Sequence, residues 1–256
     1  MENTLVKSIR LALVGATGKL AKAIIAECSS DDNIEVSHAI THSRSSLLNE
    51  RVSSTIPQFV KSETCFSADI ENAISDSDII VECSGAGAFD QYLPYYERAS
   101  LPIIFTSTGF TPTQYSQIEK LSKSMPILVA PNLSAGVNIS FKLVEMASRV
   151  AMDPVDVSII EYHHREKKDA PSGTALMFEK LIRKHKPQAS ISICSVRGGT
   201  VIGDHLVTFM FRGERIEINH KAETRANAGR GCVVAINWLT QQQAGMYDMY
   251  DALDLI

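Results

Sequence analysis

The densest run of reactive side chains is Glu161-Tyr162-His163-His164-Arg165-Glu166-Lys167-Lys168-Asp169-Ala170-Pro171-Ser172-Gly173-Thr174-Ala175. A strand-like stretch runs into two adjacent histidines, then a basic loop, then a Pro-Ser-Gly-Thr segment that opens a helix. Histidine gives or takes a proton near neutral pH. The helix start at Thr174 offers backbone N–H groups and a positive dipole end, which suits a carboxylate. Lys167 adds a full positive charge nearby. Together these residues describe a small anionic substrate, bound through carboxylate and protonated during reaction. A histidine pair alone is more often core or surface; the basic loop and the helix start tip the balance. Zinc is the competing idea. Neighbouring residues at a strand end point to opposite faces, and no Cys or carboxylate cluster completes a shell, so no metal is expected.

A second constellation lies near the start. Gly15-Ala16-Thr17-Gly18-Lys19-Leu20-Ala21 follows the apolar run Ile9–Val14 and opens a helix. That setting is required of a dinucleotide-binding turn. Gly15 permits the tight turn, Gly18 lets the backbone approach a pyrophosphate at the helix start, and Ala21 allows close helix–sheet packing. Thr17 stands where the usual spacing has glycine. The next strand end normally supplies an acid to the ribose hydroxyls when NAD is preferred. Here it reads Ile40-Thr41-His42-Ser43-Arg44-Ser45-Ser46, with no acid. Arg44, with Lys19, suits a 2′-phosphate, since Arg forms forked bonds to phosphate. NADPH, NADH or both are therefore the expected cofactor, with NADPH favoured.

The elements that must position these residues alternate in the first half. Strands are expected at Ile9–Val14, Ile34–Ile40, Asp78–Cys83, Ile103–Thr106 and Pro126–Ala130, the last closing the series. Helices are expected after Gly18 and at Ala68–Ser75, Gln91–Ala99 and Thr113–Lys123. This is the βαβ rhythm of a parallel sheet with helices on both faces. Asn138–Arg149 predicts an amphipathic helix with Ile139, Leu143, Met146 and Val150 at helical spacing. After it come a strand at Val155–Tyr162, a helix at Thr174–Lys184, a strand at Ser190–Val196, and an antiparallel hairpin, His205–Phe211 with Arg215–Ala222. A last helix runs from about Ala226 to Thr240. The expected fold is α/β: a Rossmann-type parallel-sheet nucleotide domain over 1–132 and 226–256, with an α+β substrate domain over 133–225 carrying a mixed, largely open sheet.

Composition agrees. The 256 residues are 45% hydrophobic and 21% charged, enough for a sizeable core and against disorder. The formal charge of −4 argues against a nucleic-acid or polybasic membrane binder. The five cysteines are scattered with no CxxC pair, which fits a reducing compartment and the cytoplasm. No apolar run approaches the roughly 20 residues of a membrane span. The basic and apolar start resembles a leader peptide, but its apolar stretch is short and enters the glycine turn directly, so it is read as the first strand.

EYHHREKKDAPSGTA resembles the signature of the dihydrodipicolinate reductase family, and the resemblance extends along nearly the whole chain. GATGKLA is similar to that family's nucleotide loop. Thr106-Ser107-Thr108-Gly109-Phe110 resembles its GTTGF segment, and Ala130-Pro131-Asn132-Leu133-Ser134-Ala135-Gly136-Val137-Asn138 its AxNFSxGVN segment. RGGTVIGDH (197–205), ERIEINHKAETR (214–225) and YDMYDALDL (247–255) also have counterparts. The resemblance implies an NAD(P)H-dependent reductase of a small cyclic dicarboxylate in lysine and diaminopimelate biosynthesis, assembled as a homotetramer through the second sheet. It implies that His163 is the acid/base histidine, that Lys167 is the second catalytic residue, and that His164, Lys167, Gly173 and Thr174 hold substrate carboxylates. It places Ser84, Thr106, Thr108, Ala130, Leu133 and Arg225 near the cofactor, beside Gly15, Ala16, Thr17, Gly18, Lys19, Leu20, Thr41, His42 and Arg44. The chain departs from the pattern at Thr41-His42, at Glu82 for an Asp, at Thr106 for a glycine, and at Leu133 and Ala228 for aromatics. The loop between the Thr174 helix and RGG is also short. These departures bear on cofactor affinity and preference.

Two other readings compete. A non-catalytic nucleotide-sensing regulator can carry GATGKL, but has no need of His163, Lys167 and the PSGT helix start. A short-chain dehydrogenase needs a Tyr-x-x-x-Lys pair, and the sequence has none.

Overall fold

The computed structural model describes residues 8–59, 63–152 and 154–255. The chain divides into two compact units, Met1–Leu133 with Ala228–Asp254 and Ser134–Asn227.

Along the first unit run β1 (Ile9–Val14), α1 (Lys19–Cys28), β2 (Ile34–Ile40), α2 (Val52–Thr55), β3 (Phe66–Ser67), α3 (Ile70–Ser75), β4 (Ile79–Glu82), α4 (Phe89–Ala99), β5 (Ile103–Phe105), α5 (Pro112–Leu121) and β6 (Pro126–Val129). The second unit holds α6 (Ala135–Val150), β7 (Asp156–His163), α7 (Gly173–His185), β8 (Ser190–Arg197), β9 (Asp204–Phe211) and β10 (Glu214–Lys221). The chain then forms α8 (Ala226–Leu239), β11 (Gly245–Tyr247) and α9 (Met249–Ala252).

The first sheet has the order β11-β6-β5-β4-β1-β2-β3, all parallel. The sequence predicts Pro126–Ala130 as the closing strand; the structure adds β11 beyond it, pairing Met246 with Ile127. Two apolar layers sandwich the sheet, as its period-2 geometry requires. Leu11 and Leu13 of β1 enter one layer with Ile24, Ile25, Cys232 and Ile236. Ala12 and Val14 enter the other with Phe89, Tyr96 and Ile118. The Rossmann-type expectation holds. Strand order reverses about β1, so ligands belong outside the carboxyl ends of β1 and its neighbours.

The second sheet has the order β10-β9-β7-β8, with β7–β8 parallel and the other pairs antiparallel. It is the expected mixed sheet. One face carries buried Val157, Ile159, Val207 and Phe209, and α6 and α7 meet through Phe141 and Phe178, whose rings lie 4.9 Å apart. The opposite face exposes Tyr162, Val196 and Met210.

One expectation reverses on α6. Ile139, Leu143, Met146 and Val150 are exposed, Val150 at 76%. The buried face is Val137, Phe141, Val144 and Ser148, which has the same spacing two residues earlier. Glu145 on that side binds Lys184 and His185 of α7, so the helix is seated by that side.

Candidate active site

Within the second unit, β7 delivers Glu161 and His163 to the covered face of the sheet, two residues apart as the strand period demands. Both are buried, Glu161 completely and His163 to 8% exposure. Arg197, the β8 partner of His163 in the register, forks onto Glu161 through Nη1 at 2.9 Å and Nη2 at 2.7 Å. The Ser172 N–H donates to Glu161 Oε1 at 3.2 Å. His163 Nδ1 makes a close contact with Glu161 Oε2.

Burial pushes the Glu161 carboxyl up, but bonds from Arg197, Ser195 and His163 overcome it and hold the group at about 2. It is therefore an anion throughout the working range and can only accept, so His163 Nδ1 donates to it. The stability that this carboxylate contributes is fully present above the ordinary carboxylate range and is lost as pH falls through about 2. His163 is shifted below its ordinary value, first by burial and further by Lys167 and Arg197, with Glu161 opposing. His205 faces it from β9, ring centroids 5.3 Å apart, and burial with the charge of His163 lowers it to about 4.

The β7 strand ends at His163, and His164 opens the turn that carries Lys167, whose N–H reaches His164 O at 3.1 Å. Lys167 Nζ pairs with Asp169 Oδ2 at 2.8 Å. Ser172 caps α7, accepting the Ala175 N–H at 3.2 Å, and its hydroxyl lies 3.2 Å from His205 Nε2. Gly173 and Thr174 are then the first residues of α7. The structure thus gathers His163, His164, Lys167, Gly173 and Thr174 around one end of the second sheet. Sequence reasoning assigned no site role to Glu161, Arg197, Ser172 and His205, although all four lie in the motifs it singled out. The available signal was Glu161 two residues before His163 on the same strand face.

In the first unit, the predicted nucleotide residues follow the carboxyl ends of parallel strands. Gly15 to Leu20 follow β1, Thr41, His42 and Arg44 follow β2, and Ser84 follows β4. Thr106 and Thr108 follow β5; Ala130 and Leu133 follow β6. Gly15 has φ +78°, and a Cβ there would lie 2.6 Å from the Ser84 backbone nitrogen. Both Gly15 and Ala16 donate to Ile40 O at 2.9 Å, which locks the turn against β2. Gly18 caps α1 without a side-chain bond, and no acid occupies the first turn. The donor set fits a pyrophosphate. His42, Arg44, Lys19 and Thr108 are exposed, whereas Ala16, Thr41, Ala130, Leu133 and Thr106 are buried. The Thr106 hydroxyl turns inward to Glu82 O at 2.9 Å. Glu82 is buried beneath Ser84, taking its N–H and hydroxyl together with Tyr96 OH, so the longer acid pins the loop that carries Ser84. Arg225 is exposed in the second unit, before α8.

A family model described as dihydrodipicolinate reductase, N-terminus, matches residues 9–133, and one described as its C-terminus matches residues 136–253. A 4-hydroxy-tetrahydrodipicolinate reductase of Syntrophotalea carbinolica is 32% identical over 96% of this chain and 99% of its own length. One of Saccharophagus degradans is 34% identical over 96% and 98%. Among solved structures, a dipicolinate-bound dihydrodipicolinate reductase from Paenisporosarcina superposes with a TM-score of 0.81 at 23% identity, covering 97% of this chain and 100% of that one. A probable dehydrogenase from Thermotoga maritima gives 0.66 at 12% identity, covering 96% and 93%.

Proposed function

The chain belongs to the dihydrodipicolinate reductase family, and on that premise we propose how its residues divide the work of reducing 4-hydroxy-tetrahydrodipicolinate. It is an NAD(P)H-dependent oxidoreductase that makes tetrahydrodipicolinate for lysine and diaminopimelate synthesis. The observation that carries the assignment is the gathering of His163, Lys167 and the α7 start at one sheet end. Loss of the hydroxyl as water gives a conjugated imine. The nicotinamide cofactor, when bound, supplies a hydride to the carbon that bore the hydroxyl. The resulting enamine needs a proton on the neighbouring carbon. His163 gives it from Nε2, since Nδ1 is committed to Glu161. Lys167 and His164 hold one carboxylate; Lys167 also stabilises developing negative charge. The amides that open α7 at Gly173 and Thr174 face the other carboxylate with their positive dipole end.

Lys167 leaves Asp169 to take the substrate. Its charge acts on ground and transition states alike, so Lys167→Ala lowers kcat and raises the substrate KM together. Steady-state kinetics checks this; a change in KM alone would limit Lys167 to binding.

Gly15 to Leu20, Thr41, His42, Arg44, Ser84, Thr106, Thr108, Ala130, Leu133 and Arg225 are proposed as the cofactor's surroundings. For buried Thr41, Thr106, Ala130 and Leu133 the role is to shape the strand ends from beneath. With no acid after β2 and Arg44 exposed, NADPH is used at least as well as NADH. Arg44→Ala raises the KM for NADPH and leaves NADH nearly unchanged; equal losses with both would show that Arg44 does not read the 2′-phosphate.

The open face with Tyr162, Val196 and Met210 is proposed as the tetramer surface, because an uncovered apolar sheet face marks an interface. Sedimentation at micromolar concentration should give a homotetramer, and a monomer would contradict this. Among the described residues no helix is long and apolar enough to cross a membrane. A small dicarboxylate as the substrate and the cytoplasm as the compartment complete the proposal; nucleic acid has no part in it.

A further inference from the structure

We infer that Glu161, clamped by Arg197, is the positioning residue of His163: it fixes the ring so that Nε2 faces the space left by Gly203, and it holds the proton-bearing form of the ring. The inference rests on the reading of His163 as the proton donor.

A solvent-exposed histidine rotates about its side-chain bonds and exchanges tautomers freely. The contacts of His163 oppose both. Its Nδ1 is bound to Glu161, and Glu161 is itself immobilised by further bonds, two from Arg197, one from the Ser172 N–H and one from Ser195. Arg197 is tied down in turn, since Nη2 donates to Asp169 O at 2.6 Å and Nη1 to Val196 O at 2.9 Å. The Gly198 N–H holds the His163 carbonyl at 3.0 Å. Backbone and ring are therefore fixed independently. On the other side of the ring, a Cβ built on Gly203 would lie 3.0 Å from Nε2. Any larger residue there would press on the one ring nitrogen that Glu161 leaves available.

The charges around the ring oppose one another. Glu161 on the same strand favours the imidazolium. Arg197 from β8 and Lys167 from the loop disfavour it. His205 from β9 stands against the ring, with His220 of β10 behind it at 6.4 Å between centroids. Burial also works against charge. Among the described residues Glu161 is thus the anion that acts on the ring, against the cations Lys167 and Arg197 and the uncharged ring of His205. Without that anion the donor form would be reached only at lower pH.

The test is the pH dependence of kcat/KM in wild type, Glu161→Gln, Glu161→Asp and His163→Ala. A donor must be protonated, so wild-type activity falls as pH rises through the His163 pKa. Glu161→Gln can still accept from Nδ1 and from Arg197 but lacks the charge. Its falling limb should move to lower pH by about one unit or more, with cofactor affinity unchanged. Glu161→Asp keeps a charge for Arg197 while withdrawing it from the ring by one methylene, and its limb should move the same way by less. It decides the matter if the Gln variant does not fold. A limb left at the wild-type pH, with rates merely scaled, would make Glu161 a structural residue and overturn the inference. Gly203→Ala leaves the charges alone and crowds Nε2. It should lower kcat by up to about 10²-fold without moving the limb; an unchanged kcat would overturn the placement of Nε2. His163→Ala separates the two levels. If that variant loses turnover and limb while Glu161→Gln moves nothing, the donor reading stands and the positioning inference fails. If it keeps both, the donor reading itself has failed.

Discussion

His163→Ala should lower kcat by about 10²–10⁴-fold, the usual worth of general acid catalysis, while leaving the dissociation constant of the reduced cofactor nearly unchanged. By the standard conversion this is about 3–5 kcal/mol of transition-state stabilisation. The fold should survive. Glu161 loses one partner but keeps the Arg197 fork and the Ser172 N–H, so no buried charge is left bare. His163 lies in the second unit and the glycine turn in the first, which is why the two readouts separate. Hydride-transfer kinetics and cofactor titration check both halves. A His163→Ala enzyme with near-normal kcat beside an inactive His164→Ala would reverse the roles assigned to the pair.

Gly15→Ala should be severely damaging for a single-methyl change. The residue sits at φ +78°, where an L side chain costs about 1–3 kcal/mol. The added carbon would also lie 2.6 Å from Ser84 N and 2.7 Å from Cys83 C. Those are backbone atoms held by Glu82 and Tyr96 from below, so they cannot yield as a flexible side chain would. Against a total stability of about 5–15 kcal/mol, the loss should appear as a clear drop in Tm, and NAD(P)H should no longer bind at concentrations that saturate wild type. Gly18→Ala is the control for stability alone: its Cβ would meet Gly15 O at 3.3 Å, so its Tm should fall less, while the same Cβ would still crowd a pyrophosphate at the helix start. Wild-type Tm and affinity in Gly15→Ala would remove the turn from the cofactor site.

The strands that carry these residues were legible where local chemistry decides. Ile9–Val14 and Ile34–Ile40 are apolar runs between turn residues, and they form β1 and β2 over those bounds. Periodicity failed on α6 for a definite reason. Ile139, Leu143, Met146 and Val150 recur at the same intervals as Val137, Phe141, Val144 and Ser148, so spacing fixes the helix but cannot say which stripe meets the sheet. Tertiary contact chose the second, through Phe141 on Phe178 and Glu145 on Lys184. The strands β3, of two residues, and β11, of three, carry too little pattern to be seen; they exist because an existing sheet edge offers them hydrogen bonds.

The site shows the same division. His163, Lys167 and the α7 start lie within one short stretch of sequence, so they could be named together there. Arg197 is 36 positions from Glu161 and reaches it only because β8 pairs with β7 in a register that sets His163 opposite Arg197. His205 arrives from β9 in the same way, opposite Glu161. Both bound the RGGTVIGDH segment (197–205), but nothing local in it says that they meet Glu161 and His163. At the nucleotide end, the substitution of Glu for Asp at position 82 was visible, but not its consequence, since the downward reach to Tyr96 and the upward hold on Ser84 depend on the packing of α4 against β4.

Whether the chain turns over substrate or only senses a nucleotide is read from the loss of reduced-nicotinamide absorbance. The purified protein is mixed with NADPH and with 4-hydroxy-tetrahydrodipicolinate made in place by its synthase. Continuous cofactor oxidation that requires the substrate and is lost in His163→Ala is the expected result. Tight NADPH binding with no oxidation by the wild-type chain, at saturating substrate, would contradict it and favour the regulator.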